Sequence, residues 1–136
     1  MYNLYGEYEC NVDGHGRFRL PKAMIAQLPP LDPEPEELNE DLQATFMINR
    51  GLDDCLVLYP LPVWEAELAK IYSRNQYSAQ NRTFARVIQS GASRLNVSSQ
   101  YRITIPPRLL EAAEIDTKVV LIGAWRWIEI WNPKKF

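Results

Sequence analysis

Asp13-Gly14-His15-Gly16-Arg17-Phe18-Arg19-Leu20-Pro21 is the stretch that decides the fold, and a weaker echo stands 85 positions further on. The echo is Ser98-Ser99-Gln100-Tyr101-Arg102-Ile103-Thr104-Ile105-Pro106. Overlaid, Arg17 meets Arg102, Leu20 meets Ile105 and Pro21 meets Pro106. An alternating strand precedes each copy, and a short helix with two more strands follows it. The same small unit occurring twice is read as a repeat before anything else.

The first copy reads as a tight turn between two strands. Before it, Tyr8, Cys10 and Val12 alternate with Glu7, Glu9 and Asn11, the period of a half-buried strand. Gly14 and Gly16 can take positive φ on either side of His15, which lets the turn be tight. After it, Phe18 and Leu20 alternate with Arg17 and Arg19, so the two arginines share one face. Pro21 cannot continue a ladder but suits the first turn of a helix, here Lys22–Leu28. The expected product is a hairpin that presents two guanidinium groups beside its tip.

Several blocks together resemble the MraZ family of bacterial transcriptional regulators, which is built from tandem AbrB-like units. Gly6 to Pro21 is similar to the family's first half, and its Asp-x-x-x-Arg signature stands here as Asp13 and Arg17. Asn49-Arg50-Gly51-Leu52-Asp53-Asp54-Cys55-Leu56-Val57-Leu58-Tyr59-Pro60 continues the likeness, followed by Asn81-Arg82-Thr83-Phe84 and Ser90-Gly91-Ala92. Val119-Val120-Leu121-Ile122-Gly123 and Ile128-Glu129-Ile130-Trp131 complete it, so that it runs over nearly the whole chain. The second copy departs from the signature, with Ser98 for the aspartate and Tyr101 for the glycine.

The resemblance implies a mainly β fold with short helices, in which two AbrB-like hairpin units interleave about a pseudo-twofold axis to form a barrel within one chain. The units are expected over residues 1–61 and 91–136, with connecting helices at 62–90. It also implies a homo-oligomeric ring that reads repeated short boxes of double-stranded DNA. In the family such a ring represses the division and cell-wall gene cluster, which places it in the cytoplasm at the nucleoid.

Composition bounds the alternatives. A chain of 136 residues, 46% hydrophobic and 24% charged, suits one domain or two very small fused ones. No apolar run approaches the roughly 20 residues that cross a bilayer, and the N-terminus lacks the regions of a signal peptide. Cys10 and Cys55 fall in strand-like segments, where a buried reduced thiol is the usual state. With His15 they are too few for a metal site, and no cofactor or small-molecule substrate is expected.

A net charge of −2 and a pI near 5.4 argue against DNA until the distribution is seen. Residues 29–45 hold six acids, four prolines and no Lys or Arg; this segment accounts for −6, and the rest of the chain carries +4. Between Glu67 and Glu111 there is no acid, but Lys70, Arg74, Arg82, Arg86, Arg94, Arg102 and Arg108 all lie there. An acidic insert, read as an exposed loop or ragged helix, masks a basic body.

Further along, Phe46–Arg50 and Cys55–Tyr59 read as a second hairpin, and Pro62 opens a helix with Trp64, Leu68, Ile71 and Tyr72 on one face. A helix over Ala79–Gln89 should turn Phe84, Val87 and Ile88 inward, with Arg82 and Arg86 outside as solvated residues or phosphate contacts. Trp125, Trp127 and Trp131 read as packing rather than base stacking.

For function, arginine on an exposed hairpin can reach guanine O6 and N7 in the major groove. Arg17 and Arg19 lead that reading, with His15, Lys22 and Arg102 behind them, while Asp13, Gly14 and Gly16 shape the turn. An antitoxin-type protein is the alternative, although such chains carry one hairpin unit and a disordered tail. An enzyme finds no nucleophile with a base, no phosphate-binding glycine loop and no metal cluster. Tyr101 is a poor residue for positive φ, so the second tip is expected to differ in shape.

Overall fold

The computed structural model describes residues 3–28, 42–98 and 100–136, without the side chains of residues 42, 43 and 98. The expectations for the acidic insert over 29–41, and for the Ser98 and Ser99 side chains at the second tip, lie outside the described residues. Among the described residues twelve elements follow one another: β1 (Glu7–Asn11), β2 (Arg17–Arg19), α1 (Lys22–Ile25), β3 (Leu42–Arg50), β4 (Leu56–Pro60), α2 (Leu61–Tyr72), α3 (Ala79–Gly91), β5 (Ser93–Ser98), β6 (Arg102–Thr104), α4 (Pro107–Ala112), β7 (Lys118–Ala124) and β8 (Trp127–Trp131). The β3 strand starts at Leu42, four residues before the apolar pattern becomes readable at Phe46.

Six strands form one antiparallel sheet in the order β1-β7-β8-β4-β3-β5, while β2 and β6 pair with each other. Matching each element to its copy in the other repeat, that order reads the same from either edge. The pseudo-twofold axis passes between β4 and β8 and through the short ribbon, where Phe18 stands opposite Ile103.

Two expectations change here. The arms of each tip do not pair with one another: β1 joins β7 and β5 joins β3, while β2 and β6 meet across the axis. The units are therefore interleaved, as the resemblance implies, but among the described residues the sheet does not close into a barrel. The three-residue strands β2 and β6 pair with each other, leaving β1 and β5 as the two edges of an open sheet.

A single core spans both repeats. It contains Leu4, Val12, Phe18, Leu20 and Met24 from the first, and Ile103, Ile105, Leu109, Leu121 and Ile130 from the second. The alternation read in β1 holds: Val12 is buried and Tyr8 and Cys10 are half-buried, with Glu7, Glu9 and Asn11 exposed. Both thiols are free, and burial, followed by the carboxylates Glu129, Asp53 and Asp54, pushes Cys55 up to about 12.

On α3 the inward face is only partly the expected one, with Ile88 half-buried as read. Ala85 is buried, while Phe84 is 37% and Val87 63% exposed. The rotation follows from Asn49, a buried side chain on β3 whose Nδ2 donates to the Ile88 carbonyl at 2.7 Å. Gly91 lies against the same amide, where an added Cβ would stand 2.6 Å from Asn49 Oδ1. The close approach suits a small residue, and Phe84 is left under the Arg74 guanidinium, 5.5 Å from its ring centroid. On α2, Val63 and Trp64 face inward and Tyr72 is exposed. Trp64 and Trp127 both stack edge-on against Tyr59, whereas Trp125 is exposed in the turn before β8, with the Arg126 guanidinium 4.6 Å from its ring centroid. Among the described residues no helix is long and apolar enough to cross a membrane.

Candidate nucleic-acid interface

The first tip is held by one carboxylate. Asp13 Oδ1 accepts the backbone N–H of His15 at 2.8 Å and of Arg17 at 3.0 Å, and Oδ2 accepts Arg17 Nε at 2.9 Å. The backbone closes beneath it, with Gly16 N donating to Asp13 O and Asp13 N to Arg17 O. Of the two tip glycines only Gly16 has positive φ, at 77°. A Cβ there would lie 2.8 Å from Leu110 Cδ1 and 2.9 Å from the Ile105 carbonyl, whereas Gly14 has open space around it. His15 sits exposed at the apex.

These hydrogen bonds lower the Asp13 carboxyl from 3.8 to about 2, first through the Arg17 backbone N–H, then through His15 N–H and the Arg17 guanidinium, with desolvation opposing them. A carboxyl with a depressed folded pKa stabilises the folded state while ionised, so the clip contributes fully above 3.8 and is lost as pH falls through about 2. Asp13→Asn should therefore unfold at a lower temperature than the wild type near neutrality, with the difference closing over that acid window. A difference that persists unchanged at the bottom of the window would show that ionisation is not what holds the tip.

Across the axis, Tyr101 shares the positive φ of its counterpart Gly16. Tyr101 has φ 51°, against the expectation that a non-glycine residue would avoid it. The ribbon imposes it: Tyr101 O accepts Leu20 N at 3.0 Å, the symmetric counterpart of Gly16 O accepting Ile105 N at 2.9 Å. The conformation costs about 1 kcal/mol or more, which the half-buried Tyr101 ring offsets by packing on the core.

Phe18 and Ile103 point inward from the ribbon, so Arg17, Arg19, Arg102 and Thr104 share its outer face. Arg19 stands opposite Arg102 and Arg17 opposite Thr104. Arg19 Nη2 donates to Gln100 Oε1 at 3.1 Å. Beside the ribbon lies an open groove of about 500 Å³ lined by Asn11, Asp13, Arg17, Arg19 and Arg102 over Val12 and Phe18.

The groove gathers Arg17, Arg19 and Arg102 with Asp13; His15, Lys22, Arg82 and Arg86 are not among its lining residues. Lys22 is exposed at the start of α1. Arg82 Nη1 donates to the carbonyls of Gln76 and Tyr77, which makes it a brace for the loop between α2 and α3. Arg86 is exposed on α3. Sequence reasoning missed Gln100. The signal was its place two residues before Arg102, readable only once the tips are set facing each other rather than laid over each other.

Comparison with known proteins gives this surface a context. Residues 88–136 match the MraZ protein family model, which carries an antitoxin-like label. Over 137 residues the chain is 33% identical to the transcriptional regulator MraZ of Christiangramia forsetii, covering 100% of this chain and 82% of that protein. It is 35% identical to the protein of the same name from Halothermothrix orenii over 96% of this chain and 82% of that one. The Cytophaga hutchinsonii protein of that name is 31% identical over 94% of this chain and 78% of its own length. The chain belongs to the MraZ family.

Proposed function

We propose that this protein is a transcriptional regulator that binds double-stranded DNA through the β2–β6 ribbon. The observation that carries the reading is the gathering of Arg17, Arg19 and Arg102 on one exposed face of a two-stranded ribbon. The major groove, about 12 Å wide, admits such a ribbon, and arginine is the side chain suited to guanine O6 and N7. The relatives' name, transcriptional regulator, supports the same conclusion.

Three arginines are too few for tight binding, since specific binders make about 6–10 phosphate contacts. Several copies must therefore act on one duplex, and a homo-oligomeric ring reading repeated boxes supplies them. The finer assignment follows the family likeness: repression of the division and cell-wall gene cluster, at the nucleoid. The family model's antitoxin-like label favours a second reading, in which the chain also binds a toxin as well as its own promoter.

The deciding experiment is a titration against the DNA upstream of the protein's own gene at two salt concentrations, beside a shuffled duplex of equal length. Preference for the upstream duplex, with affinity falling as salt rises, supports the reading; equal, salt-independent affinity for both ends it. Arg102→Ala should weaken both duplexes alike and lower the salt slope by about one, the loss of a single phosphate contact. Arg102 has no described partner that would hold its guanidinium toward a base edge. Loss of discrimination in that variant would reverse the assignment.

A further inference from the structure

The two tips differ in the group each offers to an arginine. Asp13 orients Arg17 from within the first tip, through the 2.9 Å contact to Nε. On the second tip the corresponding position is Ser98, which carries no charge. Two residues on, however, Gln100 Oε1 accepts from Arg19 Nη2 at 3.1 Å, across the axis and between residues far apart in sequence.

Arg19 needs such a partner. It stands directly opposite Arg102, and like charges facing each other across an antiparallel pair are destabilising and splay the side chains. An acceptor on one terminal nitrogen fixes the plane of the guanidinium against that repulsion. A guanidinium has five N–H donors, so one bond to Gln100 leaves the others for a duplex. A neutral amide also differs from a carboxylate in what it leaves behind. Asp13 cancels the charge of the arginine it holds, whereas Gln100 holds Arg19 with its charge intact.

We infer that Gln100 is a positioning residue that sets the Arg19 guanidinium for contact with a guanine edge. The second tip thus completes the reading surface of the first instead of repeating it. This accounts for a repeat that keeps the ribbon geometry at Tyr101 while giving up the carboxylate. The inference rests on the DNA-binding reading above. Preorganisation of this kind improves recognition by removing the ordering cost of a long side chain.

The test is a double-mutant cycle on the full chain: wild type, Gln100→Ala, Arg19→Ala and the double variant. Each is titrated against the upstream duplex and the shuffled one. Gln100→Ala should reduce the preference for the upstream duplex about fivefold or more, the scale of one arginine–guanine contact. Its affinity for the shuffled duplex and its salt slope should be unchanged, which loss of a merely structural contact would not produce. In the Arg19→Ala background the same substitution should do nothing further, because the two act as one unit. Wild-type preference in Gln100→Ala, equal weakening on both duplexes, or additive effects in the double variant would each overturn the inference and leave the DNA reading standing. A wild type that prefers neither duplex removes both.

Discussion

Arg17→Ala is expected to abolish sequence-specific DNA binding while the chain stays folded and keeps its oligomeric state. The guanidinium is outward, its backbone is fixed by the Asp13–Arg17 hydrogen bonds, and Nε is already oriented at 2.9 Å from Asp13. Under the proposed DNA-binding reading its removal deletes a base contact worth about 1–3 kcal/mol in every copy engaged on a repeated target, so the loss would multiply across an oligomer. The contact that is lost at home is an exposed ion pair, which contributes little to stability. Circular dichroism and light scattering should therefore match the wild type. Binding to the upstream duplex within about threefold of wild type would be less than one base contact and would remove Arg17 from the interface.

The largest effect on stability is expected at the centre of the ribbon. Phe18 is buried beside the pseudo-twofold axis, opposite the fully buried Ile103, with Leu20 and Ile105 flanking. Phe18→Ala should cost about 3–5 kcal/mol, the range for deleting a buried ring where the surroundings collapse only in part. For a chain of this length that is a fall of roughly 10–20 °C in Tm. Leu52→Ala is the control: its side chain is 94% exposed in the β3–β4 turn, and the change should stay within about 0.5 kcal/mol. A Phe18→Ala protein that melts within a few degrees of wild type would mean that the ribbon is not packed on the core as the structure has it.

What could be read from the sequence, and what could not, divides along one physical line. Alternation tells which face of a strand is buried, and it placed Val12, Phe18, Leu20, Ile103 and Ile105 inward correctly. It carries no information about which strand lies alongside, so β1 with β7 and β2 with β6 were beyond its reach. The tip itself was legible because Asp13 and Gly16 are rare choices with local consequences. At the second tip the local rule failed: a hydrogen bond from Leu20, supplied by the other repeat, overrode the preference of Tyr101 against positive φ. Helix α3 failed for a similar reason. Its apolar period points Phe84 and Val87 inward, but one buried amide, Asn49, sets its rotation. Gln100 was passed over because its partner Arg19 belongs to the other tip, a relation no periodicity encodes.

The interleaving has a consequence for a chain emerging from the ribosome. β3 and β4 can form their hairpin as soon as both have been synthesised, since they are neighbours in sequence. The arms of the first tip have no such option: Arg17 waits for Thr104, and Glu7 waits for Ile122. Pairings between such distant residues are slow to close, because the entropy of the intervening loop must be overcome before any contact forms. The surface that would meet DNA is thus among the last parts of the nascent chain to take shape, although its first residues are among the earliest made. A message broken before the codons for β6 yields a chain with no ribbon on which to present Arg17 and Arg19.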